Sequence, residues 1–406
     1  MKYAVKKFRI IVIATVFCAC LLCLFCKGDV AYAEEYTVPS EEEEQTVPDS
    51  VDELLDNLDL SGLQSLLDML DDKGIAVFGY SDIVERIRAA ANGNDPDNVG
   101  GIIMHVFRLF GAEVLEFVPM MLSVLAIVLA YNLISSLRGK FASESIEKVV
   151  YFATGMLAVC LVVGYFASVL ATAVKFVVSV KTQINAVAPV MITLMTAAGA
   201  SSSAGVYTPS VALLGAGMTN AITYIVFPFV LIGLVFDVIG SVSSSIKLDK
   251  TSDFFRSCCK WFMGSSFFLF VTMLGVSGIT ATVKDGISIK AARFAVSKYV
   301  PIIGGYLSQG FDYIMAGNVL IKNAVGTSAV VLIILTAAPV ICRLVVFSLT
   351  LKLTAALSEP LGGEKFSGVL SAIGKSASLI TTAVIAMTFL YVLFLVMTIC
   401  TGNIAL

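Results

Sequence analysis

The chain has 406 residues, 58% of them hydrophobic and 14% charged, with a net charge of −3 and a mean hydropathy of +0.91. A soluble domain is about 45–50% apolar and about 25% charged, so this composition excludes an ordinary water-soluble enzyme. It defines a polytopic all-α membrane helix bundle in contact with the lipid bilayer, with no basic face for a nucleic-acid partner.

The first element is an export signal. MKYAVKKFRIIVIATVFCACLLCLFC places Lys2, Lys6, Lys7 and Arg9 before an apolar run from Ile10 to Cys26. Ala31 and Ala33 then supply small residues at the −3 and −1 positions of a cleavage site, so residues 1–33 read as a cleavable signal peptide. An uncleaved signal anchor is the alternative. Either way, the chain after Ala33 starts outside the cytoplasm.

Residues 34–50, EEYTVPSEEEEQTVPDS, are acidic and punctuated by proline, which predicts a disordered linker. From Glu34 to Asp72 there are fourteen acidic residues and no Lys or Arg. Residues 51–116 carry amphipathic patterns. Val51, Leu54, Leu55 and Leu58 fall at helical spacing, as do Leu63, Leu66, Leu67 and Leu70. A third helix is predicted over 82–91, opened by an Asp82–Glu85 capping box. These exported helices form either a cap on the membrane domain or a docking surface for partners. His105, in an amphipathic approach to the membrane, is the chain's one histidine. With no Cys or acidic partner nearby in sequence, it reads as structural.

Residues 117–406 form the multi-pass domain. Clear spans are Phe117–Leu137, Val149–Val174, Trp261–Val283, Ala324–Cys342 and Ser376–Cys400, each long enough for about 30 Å of hydrocarbon. Two regions are ambiguous. Residues 182–236 are interrupted by AAGASSSAGVYTPS and cross once or twice. Residues 298–322, KYVPIIGGYLSQGFDYIMAGNVLIK, have the length of a span but carry Pro301, Gly304, Gly305, Gln309, Gly310, Asp312, Gly317 and Asn318. Charge bias couples the two regions. Loops are read at 138–148, at Lys175–Lys181, at 237–260, at 284–298, at Lys322 and at 343–375. If both regions add a crossing or neither does, eleven Lys/Arg lie inside against seven outside. The mixed assignments give eight against ten. The chain therefore has six spans or eight, with mature N-terminus and C-terminus both extracytoplasmic.

Ionisable residues inside a membrane face the bundle interior or a water-filled cavity. Gln309, Asp312 and Asn318 are accordingly read as a polar intramembrane seam. Pro301, Gly304, Gly305, Gly310 and Gly317 are read as packing or hinge positions in a broken segment buried in protein. A surface helix between two spans is the alternative.

Catalytic and cofactor signatures are missing. SEPLGGEKFSG (residues 358–368) has the wrong spacing for a phosphate loop, and there is no H-E-x-x-H. Asp237 with Asp312 is the one candidate aspartate pair, but the Gly-x-Gly-Asp of an intramembrane aspartyl protease is lacking. Cys258 and Cys259 read as small apolar filler. No catalytic residue, cofactor or metal is expected. Paired broken helices near 197–209 and 301–317 leave a self-contained secondary transporter as the competing reading.

AARFAVSKYVPIIGGYLSQGFDYIMAGNVLIKNAVG (residues 291–326) resembles the stage III sporulation protein AE family. LKLTAALSEPLGG (351–363), the export signal and the leucine-rich exported helices resemble it too. The resemblance implies a non-enzymatic protein of an endospore former, made in the mother cell and placed in the membrane around the engulfed forespore. It implies membership of a multi-protein channel, or feeding-tube, assembly with other sporulation membrane proteins. That assembly supports late forespore gene expression and spore development.

Overall fold

A computed structural model of the chain describes residues 55 and 58–401, apart from 69, 71, 93–98, 137–143, 243–247, 300–303 and 362–363. The export signal and the acidic linker lie outside the described residues, as does most of the first amphipathic repeat.

Among the described residues three short helices come first: α1 (Ser61–Leu67), α2 (Asp72–Phe78) and α3 (Ile83–Ala91). The predicted leucine spacing does place Leu63, Leu66 and Leu67 on the buried side of α1. Asp82 is the N-cap of α3, and its side chain accepts the Val84 N–H at 2.8 Å. Gln64 fastens α1 to α3 from both ends of its amide: Nε2 donates to the Ser81 carbonyl (3.1 Å), and Oε1 accepts the Ile83 N–H (2.9 Å). Gly62 lets α1 rest on a long helix of the bundle, since a Cβ there would come within 2.9 Å of the Ala186 Cβ.

The rest of the chain forms long helices. α4 is Val99–Ser136 and α5 is Glu144–Ala197. α6 (Ser201–Ala212) leads through π-helical turns at Leu213–Met218 and Ile222–Val226 into α7 (Phe227–Val242). α8 is Asp249–Tyr299, α9 is Gly304–Ser358 and α10 is Glu364–Cys400. Among the described residues, six helices are long and apolar enough to cross a membrane, with α6 and α7 counting as one. Five of the six carry the clear spans read from sequence; the sixth, 201–240, carries the second part of the ambiguous region 182–236, whose first part continues α5, and residues 304–322 belong to α9.

The helices are longer than the sequence spans because the expected loops are not loops. Lys175 and Lys181 lie inside α5, and residues 284–298 are the last turns of α8. At 1.5 Å per residue, α5 is about 80 Å long, more than twice a hydrocarbon core of about 30 Å. Charge spacing misplaces such loops because an isolated Lys or Asp does not end a helix whose backbone is satisfied from within. The proposed boundary at 116/117 likewise falls inside continuous α4. Pro119, Pro189, Pro209 and Pro339 sit within helices.

α9 is the hub, packed against α10, α4, α5, α8 and α3. Its Phe347 meets Phe117 of α4 at 5.3 Å and Phe166 of α5 at 6.3 Å between ring centroids. Nearer its N-terminus, Gly326 is pressed by Ile399 of α10 and Met191 of α5. Small residues buy this close approach where helices cross.

Candidate functional site: a polar seam through the bundle

Apolar packing aligns helices but does not fix their register, and buried polar groups must find partners or lose several kcal/mol. Many of the partners they find here form two charged locks, with further cross-helix bonds between them.

The first lock lies near the 243–248 connection. The buried Arg256 of α8 donates to the carboxylate of the buried Asp237 on α7. The same guanidinium donates to the Ala372 carbonyl of α10 at 3.2 Å and to Asp253 at 3.4 Å. One cation thus ties three helices.

The second lock lies at the opposite end, around the α5–α6 turn. Gly199 has φ +83°, a conformation that only glycine adopts without strain, and it reverses the chain in three residues. The reversal exposes the first N–H groups of α6. Asp285 of α8 fills that position: its two carboxylate oxygens accept the N–H groups of Ser202 (2.7 Å) and Ser203 (2.9 Å), and one also takes the Ser203 hydroxyl (2.5 Å). A carboxylate at a helix N-terminus satisfies unpaired donors and matches the helix dipole. Asn318 of α9 donates to the Ala197 carbonyl, the last of α5, at 3.4 Å and to Ile314 at 3.0 Å. Lys322, fully buried one turn further along α9, donates to the Thr401 carbonyl at the C-terminal end of α10. There its positive charge faces the negative end of the helix dipole. Thr401 also hydrogen-bonds Tyr207 of α6 at 3.2 Å. The ends of α5, α6 and α10 are therefore capped by side chains of α8 and α9.

Between the locks, Gln183 of α5 donates to Thr336 of α9 at 3.2 Å, and Ser348 of α9 meets Ser378 of α10 at 2.7 Å. Arg343 of α9 reaches Glu116 of α4 twice (2.8 and 3.0 Å) and Glu113 once (3.4 Å), with its guanidinium over the Phe117 ring.

Of the sequence-predicted seam, Asn318 is buried and bonded as described. Gln309 and Asp312 lie on the first turns of α9, and their side chains are outside the described residues, as are Pro301 and the side-chain surroundings of Gly304 and Gly305. The segment is not broken after Gly304: it runs as uninterrupted helix into the hub. Gly310 is exposed, and a Cβ there would meet nothing within 4 Å. The close approach expected of it falls at Gly326 instead. Gly317 is buried, beside Asn318.

Asp285, Lys322 and the Asp237–Arg256 pair were not singled out as a site from sequence. Each was visible as an isolated charge in or beside an apolar run, but the partner lies 19 to 83 residues away. Asp237 and Asp312 lie on different helices, α7 and α9. Asp237 sits level with Ala372, whereas α9 meets the far end of α10 at Thr401, about 40 Å along that helix. Among the described residues there is no group of three or more His, Cys, Asp or Glu side chains that could hold a metal ion.

Fold and seam together define a multi-pass membrane protein in which the charged residues of the seam hold helices in register. The chain belongs to the family described as Stage III sporulation protein AE, whose model matches residues 81–402. It is similar to Stage III sporulation protein AE of Bacillus subtilis (strain 168), with 24% identity over 270 residues, covering 66% of this chain and 68% of that protein. No solved structure matches it. Family membership implies a role in stage III of sporulation.

Proposed function

We propose that this protein is a non-enzymatic membrane component of the mother cell–forespore channel assembly needed for late forespore gene expression. The observation that carries the reading is the family match from residue 81 to residue 402, which covers α3 and all the long helices. Two further features support it. The polar groups of the seam are spent on helix ends and cross-helix bonds. The exported helices α1–α3 pack on α5, α9 and α4, and they give the bundle an extracytoplasmic surface on which other sporulation membrane proteins can dock. In this reading the signal is cleaved after Ala33, both mature termini are extracytoplasmic, and the protein sits in the mother-cell membrane around the forespore. The turns carrying Gln309, Asp312 and Asn318, with Pro301, Gly304, Gly305, Gly310 and Gly317, contribute contacts within the assembly.

A self-contained secondary transporter is the competing reading. Such carriers aim the N-terminus of a broken helix at an anionic substrate. The buried N-terminus of α6 has that placement, but Asp285 already occupies it.

Deletion of the gene in its host, with a late forespore reporter and microscopy after engulfment, tests the proposal. A silent reporter in engulfed, shrinking forespores is expected, together with co-purification of other sporulation membrane proteins in mild detergent. Normal spore maturation would overturn the channel reading.

A further inference from the structure

From the geometry of α8 we infer a binding groove for one anionic phospholipid, with an acyl chain along the helix and the phosphodiester at Lys290. The inference rests on the membrane-spanning reading of α8 and is independent of the channel assignment.

Gly278, Thr282, Gly286 and Lys290 follow one another at four-residue intervals, so they lie along one face of α8. With Ile287 on one side and Met397 of α10 on the other, they line a cavity of about 440 Å³. Its wall is overwhelmingly apolar, and the hydroxyls near it are already engaged. Thr282 donates to the Gly278 carbonyl at 2.9 Å, and Tyr207 is bonded to Thr401. The small residues create the space. At Gly278 the Tyr207 hydroxyl already lies 2.7 Å from where a Cβ would be, so that end is closed. At Gly286 a Cβ would meet nothing within 4 Å, so the groove is open there.

Length and charge select the occupant. From Gly278 to Lys290 the row runs about 18 Å, close to one leaflet of a bilayer whose core is about 30 Å thick. Residues 261–283 of α8 carry no charge, and Lys284 and Lys290 follow at once. The groove therefore starts among headgroups, at an exposed cation, and descends into the hydrocarbon. Asp285 does not neutralise that mouth, because its carboxylate is turned onto Ser202 and Ser203. A polar solute finds no free partner on the apolar floor. An acyl chain needs none, and Lys290 supplies the charge that a phosphodiester with a net negative headgroup requires.

The test uses the full chain in phosphatidylcholine vesicles with a single tryptophan beside the groove. Trp261 is the chain's one tryptophan, and Ile287 is 64% exposed, so the reporter is Trp261→Phe/Ile287→Trp. Quenching by dibrominated phosphatidylglycerol is compared with quenching by dibrominated phosphatidylcholine. The anionic lipid is expected to be preferred about fivefold, as one basic residue at a lipid surface provides. Lys290→Glu should abolish the preference while leaving quenching by phosphatidylcholine intact, and Gly286→Leu should reduce quenching by both lipids. Helical content by circular dichroism keeps the variants comparable, and Lys284→Gln serves as a charge-loss control off the groove row. Equal quenching by both lipids in the unmodified groove, or a preference that survives Lys290→Glu, would overturn the proposal. So would a reporter shielded from both lipids, which would mean that a protein helix covers the row.

Discussion

Asp285 of α8 holds Ser203 of α6, 82 residues earlier in the chain, twice, through the backbone N–H at 2.9 Å and the hydroxyl at 2.5 Å, and so caps that helix. The cap stands in for a side chain that α6 lacks at its own start, where the N-cap is Ala200. Asp285→Ala should lower stability by about 2–3 kcal/mol, because it removes an N-cap made of charge-assisted bonds. Asp285→Asn, which still offers one acceptor, should lose about half as much. Thermal unfolding of the purified protein in detergent measures both, and equal stability of all three proteins would show that the cap is not needed.

Arg256 and Asp237 should behave as one unit. Removing either alone strands a buried charge, with an expected loss of about 3–5 kcal/mol. Replacing both, as Asp237→Leu with Arg256→Met, should recover most of it, since a packed apolar pair avoids desolvating two ions. A double-mutant cycle on unfolding free energy reads the coupling, and additive losses would contradict the pairing.

Gly326 and Gly310 should respond oppositely to the same change. A methyl at Gly326 runs into Ile399, so Gly326→Ala should cost about 1–3 kcal/mol by overpacking and be partly rescued by Ile399→Ala. Gly310 has open space, and Gly310→Ala should be neutral or stabilising, because alanine is the better helix former by about 1 kcal/mol. Comparing melting temperatures of the two variants separates a packing glycine from a permissive one.

Outside the membrane spans, acid should loosen α1. Ser61 donates its hydroxyl and its N–H to Asp59, at 2.5 and 3.1 Å, and these bonds hold the Asp59 carboxyl below its usual range. A lowered folded-state value means the contribution is present above the ordinary carboxylate pKa and is lost as pH falls through the lowered one. Hydrogen exchange over Ser61–Leu67, corrected for intrinsic rates, should quicken across that acid window in the native protein. Asp59→Asn should show no such step there.

Much of the architecture was legible in the chain itself. Continuous apolar runs such as 149–174 and 376–400 cross lipid as helices, because they are too long and too uniformly apolar for barrel strands and a helix satisfies its own backbone. The leucine spacing of 63–70 and the Asp82 cap were equally local, since a helical face and an N-cap involve residues within a few positions of one another. What the sequence could not give was where helices stop. Lys175 and Lys181 look like loop residues, yet α5 passes through them. Gly310 looks like a crossing point, yet Gly326 is one. Composition and local pattern thus determined that this is a helical membrane protein with short amphipathic helices ahead of its spans. Tertiary structure alone decided that Asp285 caps α6, that Lys322 meets the end of α10, and that Arg256 binds Asp237. Each of these pairings joins a buried charge to a partner far from it in sequence, and a buried charge finds its partner only after the apolar faces have packed.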